Sequence, residues 1–214
     1  MWNLPPTDSV LHLLSFVALA AQAMTAALAA GRRSMDWMGV CLLGAVTALG
    51  GGTLRDVLLG HYPLAWVERP SYLLLTVLAP FVTIAMARLV HRLTTAFLVL
   101  DAIGLVVFTI SGCEIAWQMG VPFGIVIVAG MITGCAGGVL RDILCNDVPL
   151  LFRAELYASV SLLTGLIYAS GLSLGLGSGV LTALSFAFGL SFRLLAIRHK
   201  WNMPQFVFTG EGKS

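Results

Sequence analysis

Charged residues are scarce in this chain. Lysine, arginine, aspartate and glutamate together make up 10% of its 214 residues, whereas hydrophobic residues make up 58% and the mean hydropathy is +0.94. So much apolar surface cannot be buried inside one soluble core. The composition therefore excludes an ordinary soluble protein and predicts an integral membrane protein.

Other sequence features that would indicate a function class are missing as well. The sequence contains no phosphate-binding loop, nucleophile elbow or clustered pair of carboxylates, so we do not expect an enzyme. The net charge of +2 is too small to indicate a nucleic-acid partner. The first ten residues include no basic residue, so the first apolar stretch is expected to remain as a membrane span and not to be a cleaved signal peptide.

The cysteines and histidines lack the spacing of metal ligands. A helical metal site would place a second histidine four residues from the first, and none of the histidines has such a partner: they are His12, His61, His91 and His199. The cysteines are predicted to be small apolar residues that pack within membrane helices: Cys41, Cys113, Cys135 and Cys145. We therefore expect no cofactor and no structural metal.

The apolar segments predict an all-α fold with seven transmembrane helices. A spanning helix needs about 20 mostly apolar residues. The run 156–192 is too long for one span, and its glycine-rich sequence GLSLGLGSG at 171–179 favours a turn, so we divide it there. The predicted spans are 11–30, 37–54, 71–87, 93–117, 121–140 and the two halves of 156–192.

Basic residues near the span ends predict the orientation of the chain. In a seven-span arrangement most of them fall on one side, which the positive-inside rule assigns to the cytoplasm. We therefore expect an inner (plasma) membrane protein with its N-terminus outside and its C-terminus in the cytoplasm. The residues on the cytoplasmic side are Arg32, Arg33, Arg88, Arg92, Arg153, Arg193, Arg198 and Lys200.

An internal repeat organises most of the sequence. GGTLRD at 51–56 returns as GGVLRD at 137–142, and the same shift of 86 residues also aligns Pro63 with Pro149. The predicted units are residues 1–92 and 93–172, with three spans each, followed by 173–214 with the seventh helix and the tail. Because three spans are an odd number, the second unit is inverted, and such repeats mark transporter-like and channel-like folds.

The repeated glycines allow two interpretations. Glycine inside a helix costs roughly 0.5 to 1 kcal/mol relative to alanine, so LGGG at 49–52 predicts a bend or break in the second span. In lipid, a broken helix is tolerated where it lines a watery cavity, which would place the glycines on a pathway. Alternatively, the glycines allow close packing of two helices.

The Arg-Asp pairs that follow the glycines place charge inside a membrane domain. Intramembrane charges are costly and are candidates for a functional role. Adjacent helical residues point about 100° apart, so we expect Arg55 and Asp56 to find partners elsewhere, with the other repeat as the nearest source. Counting along the helices places this pair near one mouth of the pathway, and Arg141 with Asp142 near the opposite mouth. These charges either contact ions or hold helices together.

Five further polar residues interrupt the apolar spans. Asp101 is a candidate for attracting a cation or for pairing with a charge, whereas Glu114 is expected to be solvated at a span end. Gln22 and Thr25 either face the pathway or hydrogen-bond between helices. Ser111 precedes a glycine, and we predict that it lines the pore.

The most specific segments resemble one known family. They are GRRSMDWMGV, ALGGGTLRDVLLGHYP, DAIGLVVFTISGC, GGVLRDILCNDVPLLFRAELYAS and FRLLAIRHKWNMPQF. This pattern resembles the prokaryotic trimeric intracellular cation (TRIC) channels, from the first span to the C-terminal tail. The same domain family has also been labelled as glycine transporters, so a small-solute secondary transporter is the alternative.

The resemblance implies a homotrimer in which each protomer has its own gated pore for monovalent cations, chiefly potassium with sodium also passing. It implies that the second and fifth transmembrane helices bend at their glycines to control opening. Carried over, the hinge residues are Gly50, Gly51, Gly52, Gly137 and Gly138, and the pore-associated charges are Arg55, Asp56, Arg141 and Asp142.

One departure from the repeat is Ala136, which stands where the first copy has Gly50. The basic stretch 193–201 either anchors the orientation of the last helix or binds anionic membrane lipid.

Overall fold

The computed structural model describes residues 9–87, 93–153 and 156–201. Within these ranges the chain consists of helices joined by short connections: α1 Ser9–Arg32, α2 Trp37–Leu59, α3 Ala65–Glu68, α4 Ser71–Ala87, α5 Leu93–Gln118, α6 Phe123–Leu144, α7 Leu150–Arg153, α8 Tyr157–Ser173 and α9 Ser178–His199. The predicted all-α fold is confirmed. The division of the long apolar run is also confirmed, because α8 ends at Ser173 and α9 begins at Ser178.

Five of these helices, α1, α2, α5, α6 and α9, are long and apolar enough to cross a membrane. The helices α4 and α8 are shorter, with 17 residues each. Apolar side chains point outward from several helices, as expected for contact with lipid tails. On α4 and α9 these exposed residues are Leu73, Leu74, Val77, Leu78, Phe81, Val82, Val180, Leu184 and Phe188.

The helix bounds return after the same 86 residues as the sequence motif. Helix α4 spans Ser71–Ala87 and α8 spans Tyr157–Ser173, so both ends are displaced by 86. The starts of α2 and α6, Trp37 and Phe123, differ by the same number. The bounds of α4 and α8 and the starts of α2 and α6 therefore follow the spacing of the sequence motif.

The chain after α2 and the chain after α6 reverse in the same way. The C-cap of α2 is Gly60 with a φ of 69°, and Asn146 has a φ of 54° at the matching position. Glycine and asparagine are the residues that adopt this left-handed conformation most readily. The backbone N–H groups of His61 and Asp147 then donate to the carbonyls of Asp56 and Asp142, each at 2.8 Å.

Helices α1 and α5 are the most buried of the long helices, and α2 and α6 pack beside them. Helices α2 and α6 contact each other, while α1 lies against α2, α4 and α5, and α5 lies against α6. Helix α9 packs against α8 and α5. Three of the four cysteines, Cys113, Cys135 and Cys145, are buried within this packing, as predicted. The predicted cytoplasmic residues Arg88 and Arg92, together with His91 and the tail after Trp201, lie outside the described residues.

Candidate functional site

Helices α2 and α6 cross with their backbones in contact at two glycines. A Cβ atom on Gly51 would overlap the carbonyl oxygen of Thr133, and a Cβ atom on Gly137 would overlap the carbonyl oxygen of Thr47. Only glycine allows so close an approach at these two positions. The two contacts leave no room for an ion between α2 and α6 at this level. We call this region the α2–α6 crossing.

The two contacts of the crossing are related by the repeat. Thr47 and Thr133 are 86 residues apart, and so are Gly51 and Gly137. The glycine of each predicted unit therefore contacts the threonine of the other unit. Both threonine hydroxyls donate to the carbonyl four residues earlier, Thr47 to Leu43 and Thr133 to Ala129, each at 2.7 Å.

The other predicted hinge glycines have looser surroundings. A Cβ atom on Gly50 would meet the side chain of Leu140 at 2.7 Å, and this side chain can move. On Gly52 and Gly138 the nearest atoms would lie 3.8 and 3.1 Å away. Both helices run unbroken through their glycines, so the break that the sequence suggested is not present in this conformation. The hinge role of the five glycines stays a prediction.

The adjacent arginine and aspartate of each motif bind one another. Nε and Nη2 of Arg55 donate to Oδ1 of Asp56 at 2.9 and 2.6 Å. Nε of Arg141 donates to Oδ1 of Asp142 at 2.9 Å. The expectation that Arg55 and Asp56 find their partners elsewhere is wrong, because the long arginine side chain curls back and its planar fork reaches the next carboxylate.

All four charges are buried within the bundle. Arg55 and Asp56 are 3% and 0% exposed, and Arg141 and Asp142 are 0% and 5% exposed. The placement of the two pairs near opposite mouths of the pathway stays a prediction. Pairing offsets the cost of removing these charges from water, and this explains how the bundle tolerates them.

Arg141 lies at the centre of a buried cluster. Its Nη1 donates to Oδ1 of Asp101 at 2.7 Å and to the hydroxyl of Thr25 at 3.0 Å. Its guanidinium also stacks over the ring of Phe97, 4.5 Å from the ring centroid. We call Arg141, Asp142, Asp101, Thr25 and Phe97 the Arg141 cluster. In this conformation Asp101 pairs with a charge and Thr25 accepts a hydrogen bond from another helix, as one of the two alternatives for each residue predicts.

Gln22 lies beside the same cluster. Its Nε2 donates to the backbone carbonyl of Asp101 at 3.4 Å, and its side chain packs against Gly104 so closely that a Cβ atom there would overlap it. Gln22 is 1% exposed. It therefore connects α1 to α5 in this conformation.

On the other side of the α2–α6 crossing, Arg55 faces a cavity of about 150 Å³, which we call the Arg55 cavity. Thr133 forms part of its wall, so the cavity extends as far as the crossing. Glu68 is exposed and also lines it, so the cavity opens to the surface. The polar and charged residues around it are His12, Ser15, Thr53, Arg55, His61, Glu68, Arg69, Ser111, Glu114 and Gln118.

Two residues of α5 that the sequence singled out line the Arg55 cavity. Ser111 is one of them, and its position on a pore stays a prediction. Glu114 is half-buried, and its carboxylate accepts from the hydroxyl of Tyr168 at 2.8 Å and from Nε2 of Gln118 at 2.7 Å. Helix α8 packs against this end of α5 and supplies the tyrosine.

The cavity and the cluster lie at different levels of the same two helices. Helix α1 contributes Ser15 to the cavity and Thr25 to the cluster, which are about 15 Å apart at 1.5 Å per residue. Helix α5 contributes Ser111 to the cavity and Asp101 to the cluster, with the same separation and the opposite order. The α2–α6 crossing therefore separates a polar cavity from a buried charged cluster.

Several residues of this site were missed by the sequence reasoning. Thr47 and Thr133 coincide under the shift of 86 residues, so the repeat itself could have identified them. Phe97 gives no comparable signal, because one aromatic residue in an apolar span is unremarkable. His61, whose Nδ1 lies 3.1 Å from Oδ1 of Asp56, was considered only as a metal ligand.

The structure is an apolar helical bundle that contains a polar cavity and a cluster of paired, buried charges. These features are those of a multi-pass membrane protein with an internal polar site. A family model described as "Glycine transporter" matches residues 12–88 and 98–173. The UPF0126 membrane protein of Vibrio cholerae is 37% identical over 202 residues, which are 94% of this chain and 84% of that protein. The UPF0126 inner membrane protein YadS of Escherichia coli is 34% identical, covering 95% of this chain and all of that protein.

Solved structures agree with these relatives. The TRIC trimeric intracellular cation channel orthologue from Rhodobacter sphaeroides superposes with a TM-score of 0.86 at 35% identity, covering 90% of this chain and 99% of that one. A second structure, whose subject is conductance through TRIC cation channels, superposes with a TM-score of 0.85 at 33% identity. The superposition covers 93% of this chain and 98% of that one. The chain belongs to this family, that of the prokaryotic TRIC channels and UPF0126 membrane proteins.

Proposed function

We propose that the protein is a gated channel for monovalent cations, chiefly potassium, with one pore in each protomer. The observation that carries the proposal is the α2–α6 crossing, which separates the Arg55 cavity from the Arg141 cluster. The pore runs between α1, α2, α5 and α6, and this conformation is closed. Movement of α2 and α6 apart at Gly51 and Gly137 opens it.

The buried charges favour a cation over an anion. In the Arg141 cluster one guanidinium faces two carboxylates, those of Asp101 and Asp142. Both carboxylates lie at a position that solvent does not screen, and Arg193, which is also buried, lies over the ring of Tyr157 beside the cluster. Cations of the same charge, such as potassium and sodium, are discriminated weakly because this attraction does not depend on a rigid ring of ligands.

We further propose seven spans, built from two inverted three-helix repeats with α9 added. The support is the recurrence of helix bounds after 86 residues and the reciprocal contacts of the crossing. In this arrangement the N-terminus is outside, because Arg32, Arg33, Arg198 and Lys200 then lie in the cytoplasm.

We propose that the protein assembles as a homotrimer. The support is the similar structure from Rhodobacter sphaeroides, whose description is of a trimeric channel. Lipid surrounds the trimer, and the basic end of α9, with Arg198 and Lys200, faces anionic headgroups.

A flux assay separates this channel from the small-solute transporter that the family description suggests. Proteoliposomes loaded with potassium chloride, and identical liposomes without protein, are assayed for potassium efflux and for uptake of labelled glycine. The proposal predicts passive potassium efflux and no glycine accumulation above the protein-free control. Glycine accumulation against its gradient without potassium efflux would replace the channel with the transporter.

A further inference from the structure

The two repeated arginines have unequal surroundings. Arg141 is enclosed by the ring of Phe97 and the carboxylate of Asp101. The residues 86 positions earlier in the chain are Leu11 and Ser15, and both of them line the Arg55 cavity. The counterpart positions at Arg55 thus carry smaller side chains. The cavity exists where the other repeat holds an aromatic ring and a carboxylate.

The hydrogen bonds of the two guanidinium groups differ in the same way. Nη1 of Arg141 donates to Asp101 and Thr25. Among the described residues, the hydrogen bonds of Arg55 leave from Nε and Nη2, and both go to Asp56. Arg55 is 3% exposed and borders the cavity, so the cavity is the space into which its remaining donors can reach a ligand. A buried guanidinium with unused donors favours an anionic partner.

We propose that the Arg55 cavity binds a small carboxylate, which occupies the position that Asp101 holds beside Arg141. The ligand accepts from Nη1 of Arg55 and from the hydroxyl of Ser111, the counterpart of Thr25. Ser15 leaves the space open, because its hydroxyl donates to the carbonyl of Leu11 at 2.8 Å. With the ligand bound, each arginine faces two carboxylates.

The cavity limits the ligand to a few heavy atoms. Its volume of about 150 Å³ admits molecules of the size of acetate or glycine. Glu68 and Glu114 also line it, so an ammonium group on the ligand is compatible with the site. Acetate and glycine share the carboxylate and differ in the ammonium group, and the experiment therefore uses both.

The test measures binding to the purified full-length protein in detergent, so it does not depend on conduction. Equilibrium dialysis with radiolabelled acetate and with radiolabelled glycine is performed in potassium chloride at constant ionic strength. At least one of the two is expected to bind saturably, with one site per chain. If glycine binds and acetate does not, the ligand is an amino acid, and if acetate binds equally well, it is a simple carboxylate. Absence of saturable binding by both overturns the proposal.

Two variants assign the binding to this cavity. Ser15→Asp supplies a tethered carboxylate beside Arg55, which competes with the ligand and weakens its binding by about tenfold or more. Leu11→Phe fills the cavity as Phe97 fills the other repeat, and it also reduces binding, which keeps the test decisive if Ser15→Asp does not fold. The matched control Ser173→Asp changes an exposed serine and leaves affinity unchanged. A folded Ser15→Asp or Leu11→Phe protein with wild-type affinity contradicts the assignment.

Discussion

At the scale of single residues, the arginines and aspartates stabilise the bundle through their pairing. Arg55 and Arg141 each bind the aspartate that follows, and Arg141 also binds Asp101 on another helix. Breaking a buried pair leaves an uncompensated charge in a medium of low dielectric constant. The contribution of Asp101 is therefore expected to exceed that of an exposed aspartate by a wide margin.

Asp101→Asn tests this difference. The variant leaves Arg141 with one carboxylate, and we expect it to lower the free energy of unfolding by about 3 kcal/mol or more. The matched control is Asp147→Asn, which removes the exposed ion pair between Asp147 and Arg33, and it is expected to cost less than about 1 kcal/mol. Both are measured by thermal unfolding in detergent at the same salt concentration. Equal losses would show that Asp101 has no special role in the cluster.

At the scale of the helices, the glycines determine how closely α2 and α6 approach. Gly51 and Gly137 lie against backbone atoms of the opposite helix, whereas the neighbouring glycines lie against side chains or more distant atoms. In this conformation the observed packing thus supports the interpretation that the glycines allow two helices to pack closely. If the pore opens when α2 and α6 separate, the contacts at Gly51 and Gly137 are the ones that hold it closed.

Gly51→Ala and Gly137→Ala test that contact. Each added methyl group overlaps a backbone carbonyl and destabilises the closed crossing by about 1 to 3 kcal/mol. If opening relieves this strain, the ratio of open to closed channels rises by roughly 5- to 150-fold. Single-channel recording measures the open probability.

The control for these variants is Gly124→Ala. It makes the same change in α6, at a position where a Cβ atom would have no neighbour within 4 Å, and it should leave the open probability unchanged. A fall in open probability in Gly51→Ala and Gly137→Ala would favour glycine as a flexible hinge over glycine as a closed contact.

The sequence predicted the helices better than it predicted their contacts. Apolar runs and the shift of 86 residues locate most helices, because both depend on neighbours along the chain. The pairing of Arg55 with Asp56 was not predicted, because it depends on the conformation of a long side chain. The difference between the surroundings of Arg55 and Arg141 was also not predicted, because the sequence alone does not show that Leu11 and Ser15 line the same cavity as Arg55.

At the scale of the whole molecule, the distribution of basic residues favours the proposed topology. Ser34 lies in the loop between α1 and α2, next to the ion pair of Arg33 and Asp147. Leu176 lies in the loop between α8 and α9. In the proposed seven-span arrangement the first loop is cytoplasmic and the second is outside.

Labelling of single cysteines measures this topology. In a chain whose four native cysteines are replaced by alanine, Ser34→Cys and Leu176→Cys place one thiol in each loop. A membrane-impermeant maleimide applied to intact cells should label Leu176→Cys, and it should label Ser34→Cys only after the membrane is permeabilised. The reverse pattern would invert the chain, and labelling of both in intact cells would contradict the seven-span arrangement.

The central claim, passive conduction of cations through the protein, is tested most directly by its reversal potential. Purified protein is reconstituted into a planar bilayer with a tenfold gradient of potassium chloride. A cation-selective pore gives a reversal potential that approaches about 59 mV with the sign of the potassium gradient. A reversal potential near zero, or one with the sign of the chloride gradient, would contradict the account.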